Sequence, residues 1–180
     1  MKNLGFGAAA LALLAAGCAP ATAAGGPDAP AATVRLVNGQ GQPVGSAVLT
    51  EAENGVRVNV NVRGLPPGQH GLHFHQNGVC DAPDFTSAGG HYNPTNRQHG
   101  MQNPAGPHAG DLPNLTVGAD GEGEIETVKE GVSLRRANPL FKQGGTSLII
   151  HATADDQRTD PSGNSGARIA CGVITEQTDA

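Results

Sequence analysis

From residue 56 to residue 62 the chain alternates without a slip. Val56, Val58, Val60 and Val62 are apolar, and Arg57, Asn59 and Asn61 stand between them. On an extended strand successive side chains point to opposite faces, so this run has one valine face and one polar face. A period of two over that length predicts a half-buried antiparallel strand and no helix. Its neighbours read the same way. Thr33 to Val37 is β-prone and is followed by the turn Asn38-Gly39-Gln40-Gly41; Val44 to Glu51 is followed by Glu53-Asn54-Gly55. Leu65-Pro66-Pro67-Gly68 stops the third strand. Further strands are predicted at residues 70–76, at Leu115 to Val117 and Gly123 to Val128 around the hairpin signal Asp120-Gly121, at Thr146 to Ala152 and at Ile169 to Ile174. The expectation is an all-β protein of eight antiparallel strands, a sandwich or barrel. With no Trp and 3% aromatic residues, the core must be built from Val, Leu and Ile. The 27 Gly and 13 Pro suit many turns.

Residues 77–111 carry Pro, Gly, Asn and His without periodicity. A loop of that length in a compact domain is usually functional. Residues 131–145 form a second irregular link, and 153–167 a polar loop. A formal net charge of −5 gives no basic stripe and argues against a nucleic-acid partner.

The first residues read as an export signal. Lys2 precedes an apolar run from Leu4 to Ala16 that is short for a membrane span. It ends in Leu14-Ala15-Ala16-Gly17-Cys18, which resembles a bacterial lipobox with Ala15 where Leu is preferred. Residues 1–18 are therefore expected to be a signal peptide, lipidated at Cys18, with residues 19–32 a flexible tether, 33–176 the folded domain and 177–180 a tail. The alternative is cleavage near Ala21-Thr22-Ala23, which yields a soluble exported protein. Both place the chain in the periplasm or cell envelope, and membrane contact is expected only through the anchor. With Cys18 set aside, Cys80 and Cys171 remain, and in an exported domain one disulfide is the default. Closing a loop of that size is worth roughly 4–5 kcal/mol in the chain-entropy model.

The seven histidines are His70, His73, His75, His91, His99, His108 and His151. His73 and His75 are two apart on a strand, so both imidazoles reach one metal while Phe74 points into the core. His108-Ala109-Gly110-Asp111 sets a carboxylate three residues after an imidazole in a Gly turn, and zinc accepts nitrogen and carboxylate oxygen together.

These segments carry a resemblance. The chain resembles the copper,zinc superoxide dismutase family in Gly71-Leu72-His73-Phe74-His75, Gly90-His91-Tyr92-Asn93-Pro94, His99-Gly100, Gly106-Pro107-His108-Ala109-Gly110-Asp111-Leu112, His151 with Ala154-Asp155-Asp156, and Gly166-Ala167-Arg168-Ile169-Ala170-Cys171-Gly172-Val173. The similarity runs from about residue 33 to 175. It implies Greek-key connections between the strands and two long functional loops. It implies copper held by His73, His75, His91 and His151, and zinc held by His91, His99, His108 and Asp111, with His91 bridging the metals. It implies a Cys80–Cys171 disulfide and Arg168 as the cation beside copper. Asp155 then orients one ligand of each metal, and His70 supports the site without binding metal. The implied reaction converts superoxide to O₂ and H₂O₂ by copper redox cycling, with His91 and Arg168 catalytic and zinc structural. The family also implies a possible homodimer. In the 153–167 loop Arg158 is offset by Asp155, Asp156 and Asp160, so attraction of the substrate anion is expected to rest on Arg168. The competing reading is a binding protein that keeps this fold and sequesters copper or zinc without turnover.

Overall fold

The computed structural model describes residues 30–176, together with Met1. The expected signal peptide, its Cys18, most of the tether and the 177–180 tail lie outside the described residues.

Among the described residues nine strands follow one another: β1 (Pro30–Asn38), β2 (Pro43–Ala52), β3 (Gly55–Val62), β4 (Gly68–His70), β5 (Leu72–His75), β6 (Leu115–Val117), β7 (Gly123–Glu130), β8 (Thr146–His151) and β9 (Arg168–Ile174). A single 3₁₀ turn among the described residues spans Thr86–Ala88. The strands form one antiparallel sheet in the order β4-β6-β7-β3-β2-β1-β9-β8-β5. β1, β2 and β3 are a meander, as the turn signals predict. The pairings β3–β7 and β1–β9 join strands distant in sequence, and they are the Greek-key crossovers.

The expected eighth strand count becomes nine at one place. Residues 70–76, read as one strand, split at Gly71. His70 pairs with Leu115 of β6, whereas Leu72 pairs with Ile150 of β8. The Gly71 N–H donates to the Thr153 carbonyl and its own carbonyl accepts from the His151 N–H, so neither serves a ladder of β4. The two ends of the sheet order are thus one residue apart in the chain, which curls the sheet into a nearly closed barrel and leaves the outer edge of β5 to pair with the long loop. β1 also starts earlier than expected, at Pro30. Its backbone pairs with Thr50 of β2 and the small Ala32 side chain is buried, so the last residues of the expected tether are sheet.

The barrel interior holds Val34, Leu36, Leu49, Val56, Val58, Val60, Leu72, Phe74, Leu115, Leu148 and Ile150, all fully or almost fully buried. The valine face of β3 is therefore the inner face. A smaller cluster outside the sheet packs Phe85 and Ala88 on Ile149 and Cys171. There Cys80 and Cys171 form a disulfide with a Cα–Cα distance of 5.8 Å. The expected bridge thus pins the first part of the long loop onto β9.

Candidate metal centre

The long loop between β5 and β6 would be hard to position by its own propensities. It is positioned by the free edge of β5. Phe74 N–H donates to the Gly110 carbonyl at 2.9 Å, Tyr92 N–H to the Phe74 carbonyl at 2.8 Å, and Gln76 N–H to the Gly90 carbonyl at 2.9 Å. These bonds set His91 opposite His75 and Asp111 opposite His73. Position 110 needs glycine, because a Cβ there would lie 2.3 Å from the Phe74 carbonyl oxygen. Local sequence pattern thus gives the strand its two imidazoles, and edge pairing brings the loop's donors to them.

His73, His75, His91, His99, His108 and His151 are all buried, as are Asp111 and Asp155. Most have one ring nitrogen taken by a protein acceptor. His75 Nδ1–H donates to the Gly89 carbonyl at 2.9 Å and His151 Nδ1–H to the Gly166 carbonyl at 3.1 Å. His73 Nε2–H donates to Asp155 Oδ2 at 2.7 Å. These bonds fix each tautomer and aim the opposite nitrogen at a common point, the usual work of partners behind a metal ligand. His75 Nε2 and His151 Nε2 lie 3.4 Å apart. His73 Nδ1 and His91 Nε2 are buried without any hydrogen-bond partner. A buried imidazole nitrogen left unpaired is costly unless something fills the gap. Each of His73, His75, His91 and His151 offers one ligand atom to a group spanning less than 4.8 Å, which four-nitrogen copper chemistry fits.

The second group surrounds Asp111. Its Oδ1 is 3.0 Å from His91 Nδ1, 3.0 Å from His99 Nδ1 and 3.3 Å from His108 Nδ1. His108 Nδ1 is 3.4 Å from His91 Nδ1. A tetrahedral shell with bonds of about 2.0 Å has edges of about 3.3 Å, so these separations suit zinc. One oxygen cannot accept three such hydrogen bonds well, which is a further sign that a cation belongs between them. His73 also comes within 4.8 Å of His91, His99 and Asp111. Its Nε2 is occupied by Asp155, however, and His108 closes the fourth side. Asp111 Oδ2 is held by the N–H groups of Gly100 at 2.8 Å and His108 at 2.9 Å. His91 is the imidazole with one nitrogen in each group.

Asp155 joins the groups from behind. Oδ2 accepts from His73, and Oδ1 accepts from His99 Nε2–H at 3.0 Å. Asn114 clamps its backbone, accepting from Asp155 N–H at 2.9 Å and donating to its carbonyl at 2.9 Å. Gly163 must be glycine, since a Cβ would fall 1.8 Å from Asp155 Oδ1. His70 sets Nδ1 on the His151 carbonyl and Nε2 on the Pro66 carbonyl, each at 2.8 Å, so it has no nitrogen left for a metal.

Electrostatics divide the site. Burial pushes His75 down to about 2, an effect that neighbouring His91 strengthens. Burial likewise lowers His151 to about 3 and His91 to about 4, in the latter case against the pull of Asp111. These imidazoles are neutral and ready to donate lone pairs. Burial opposes charge on His99 too, but hydrogen bonds to Asp111 and Asp155 outweigh it and raise His99 to about 9. Burial would also raise Asp111; the bonds from His108, His91, His99 and Gly100 hold it far below the carboxylate range.

Arg168 opens β9 beside the first group. Its Nη2 donates to the Gly89 carbonyl at 2.6 Å and its Nη1 to the Phe85 carbonyl. Gly89 therefore serves His75 and Arg168 at once. Gly89, Phe85 and Asn114 carried no signal in the sequence: the first two act through backbone carbonyls, which any residue supplies, and the Asn114 amide has its partner 41 residues away. Arg158 Nε donates to Gln102 Oε1 at 2.9 Å, which ties it to the long loop.

Two histidine-rich donor groups that share one imidazole, mounted on a nearly closed Greek-key barrel, define a β-barrel metalloprotein with a paired metal site. The family profile described as "Copper/zinc superoxide dismutase (SODC)" matches residues 44–174. This chain belongs to the copper/zinc superoxide dismutase family. It is 45% identical over 146 residues to "Superoxide dismutase [Cu-Zn] 2" of Aquifex aeolicus, covering 79% of this chain and 85% of that one. It is 42% identical over 147 residues to "Superoxide dismutase [Cu-Zn]" of Caulobacter vibrioides, covering 79% and 84%. Among solved structures, a double mutant of a SOD-like protein from Bacillus subtilis superposes with a TM-score of 0.77 at 46% identity, covering 79% of this chain and 96% of that one. The Cu/Zn superoxide dismutase of Brucella abortus gives 0.65 at 34% identity, covering 79% and 98%.

Proposed function

We propose that this chain disproportionates superoxide, with copper held by His73, His75, His91 and His151, and zinc by His91, His99, His108 and Asp111. One observation carries the reading: His91 places Nε2 in the first group, buried and without a protein partner, and Nδ1 in the second. When bound, copper supplies one-electron chemistry between Cu(II) and Cu(I), and zinc, which has no redox chemistry, supplies structure. In balance, two superoxide anions and two protons give O₂ and H₂O₂. Arg168 attracts and orients the anion, since its guanidinium is locked by two backbone carbonyls beside the first group. His91 Nε2 is the atom at which a proton is held for the product. Asp155 keeps His73 and His99 in register, so the two donor groups cannot drift apart.

The test is a superoxide assay on protein carrying both metals, with metal content measured alongside. Dismutation that scales with copper content supports the enzyme. Protein that takes up both metals and turns over no superoxide is a binding protein instead.

We also propose that the chain is exported and anchored through lipidated Cys18. The Cys80–Cys171 bridge supports an oxidising compartment. A single acyl chain binds membranes marginally, so a stable anchor carries more than one. Mass spectrometry of the mature N-terminus is decisive: acylated Cys18 is the expected result, and an unmodified chain starting near Ala24 would refute the anchor and leave the enzymatic reading intact.

A further inference from the structure

Strand β7 breaks its own pattern. Gly123, Ile125, Thr127 and Lys129 share its less exposed face, and Lys129 is the most buried of them, at 9% exposure. It pairs with Val56 of β3, whose side chain belongs to the core. A barrel strand gains nothing from a lysine there. Sinking an ammonium costs several kcal/mol unless it is hydrogen-bonded, and the four-carbon stem loses rotamer freedom as well. A residue that breaks a local rule at such cost is most often answering to a site.

The partner of that ammonium is specific. Lys129 Nζ donates to the main-chain carbonyl of His108 at 3.2 Å. The N–H of the same residue donates to Asp111 Oδ2. Both backbone groups of His108 are therefore held: its N–H by the Asp111 carboxylate, and its carbonyl by Lys129 from the strand behind and, within the turn, by the Asp111 N–H at 3.3 Å. Nearby, Arg97 Nη2 donates to the Gly106 carbonyl at 2.6 Å, so the turn carrying His108 is gripped by two cations. Thr95, Arg97, Lys129 and Asn138 line a cavity of about 320 Å³ against this turn, and only the lysine reaches His108. The acidic groups that act on the Lys129 ammonium are Asp111, across the turn, and Glu130, the next residue, on the opposite and exposed face of β7. The other donors around Asp111 have different supports: His99 is fixed by Asp155, and the His91 backbone by the edge of β5.

We propose that Lys129 is a positioning residue for the second metal: it pins the His108 carbonyl and so holds His108 Nδ1 against Asp111. Lys129 touches no metal ligand atom and acts through the backbone of His108. The inference rests on the assignment of zinc to the Asp111 group.

The experiment compares wild type, Lys129→Met and Lys129→Arg as full-length metal-free protein. Zinc affinity is measured by competition with a chromophoric chelator. The optical spectrum of cobalt(II) bound in place of zinc reports the geometry of the Asp111 group, and the copper(II) spectrum reports the other group. Lys129→Met should weaken zinc binding 10- to 100-fold, the range typical for a partner behind a metal ligand, and should alter the cobalt spectrum. The copper spectrum should not move, and Lys129→Arg should recover most of the zinc affinity. Should Lys129→Met fail to fold, Lys129→Gln, one bond shorter and uncharged, carries the same expectation. Zinc affinity within twofold of wild type in a folded variant, with an unchanged cobalt spectrum, overturns the role of Lys129 alone. Wild-type protein that takes no zinc overturns the assignment of the Asp111 group and this inference with it.

Discussion

The two donor groups are built on different principles. His73, His75 and His151 sit on the adjacent, hydrogen-bonded strands β5 and β8, and Leu72 and Phe74 bury on the opposite side of the same short strand. Their positions follow from ladder geometry, and their free nitrogens are set by bonds to the Gly89 and Gly166 carbonyls and to Asp155. His91, His99, His108 and Asp111 instead all belong to the one long loop between β5 and β6. Nothing periodic orders that loop. It depends on edge pairing with β5, on Asp155, and on backbone N–H groups folded around Asp111. The contrast teaches that the reactive site rests largely on the rigid scaffold, while the structural site organises a loop that the scaffold holds only at separate points: the edge of β5, the disulfide and Arg168 on β9, and Lys129 on β7. A metal at Asp111 would contribute folding free energy to the loop, whereas the strands hold without one.

Removing one strand-borne ligand tests the contrast most severely. His75→Ala should abolish dismutation while metal-free protein keeps its β-sheet by circular dichroism, because the barrel core lies on the Phe74 side. Retained activity, with copper content measured alongside, would break the assignment of the first group.

Asp155 is the element common to both groups. Asp155→Ala should lower zinc and copper affinity together, by about 10- to 100-fold, as for other partners behind metal ligands. A loss confined to zinc would show that the strand-borne group orients His73 without help.

Arg168 sharpens the comparison from the substrate side. Arg168→Ala should slow the reaction severalfold to about tenfold, each ~1.4 kcal/mol of lost transition-state stabilisation being a factor of ten. Metal content should stay the same, and the residual rate should depend less on added salt. An unchanged rate at low ionic strength would leave Arg168 as a clasp on the Gly89 and Phe85 carbonyls.

The smallest effect concerns pH and metal-free protein. Burial holds His75, His151 and His91 down at about 2, 3 and 4 in the folded chain. Unfolded imidazoles titrate at about 6.5, so below that value the unfolded state binds more protons. Their contribution is complete above pH ~6.5 and is lost as pH falls toward those values. His99, raised to about 9, runs the other way: its contribution is complete below pH ~6.5 and is lost as pH rises through 9. The thermal midpoint of metal-free protein should therefore fall on both sides of a near-neutral maximum, the acid side reporting His75 and His151 of the strands together with His91 of the loop, and the alkaline side reporting His99. A midpoint that keeps rising beyond pH 9 would contradict the state assigned to His99.

The sequence by itself determined the sheet, because an alternation such as Val56 to Val62 has one low-energy reading in water. It also located the donors of both groups, since two imidazoles two residues apart on a strand must share a face, and since the loop segments around His91, His99 and His108 match a known pattern residue by residue. Other features had no local signal. Gly71 ends one strand and starts another only because β6 and β8 compete for its two sides. Which nitrogen of His75 and of His151 stays free was decided by the carbonyls of Gly89 and Gly166, which any residue could supply. Lys129 reads in sequence as one more polar residue at the end of β7, and only the packed barrel turns it inward, beneath His108. Periodicity and residue chemistry are local and survive in a linear string; the partner that completes a hydrogen bond across the fold exists only once the chain has closed on itself.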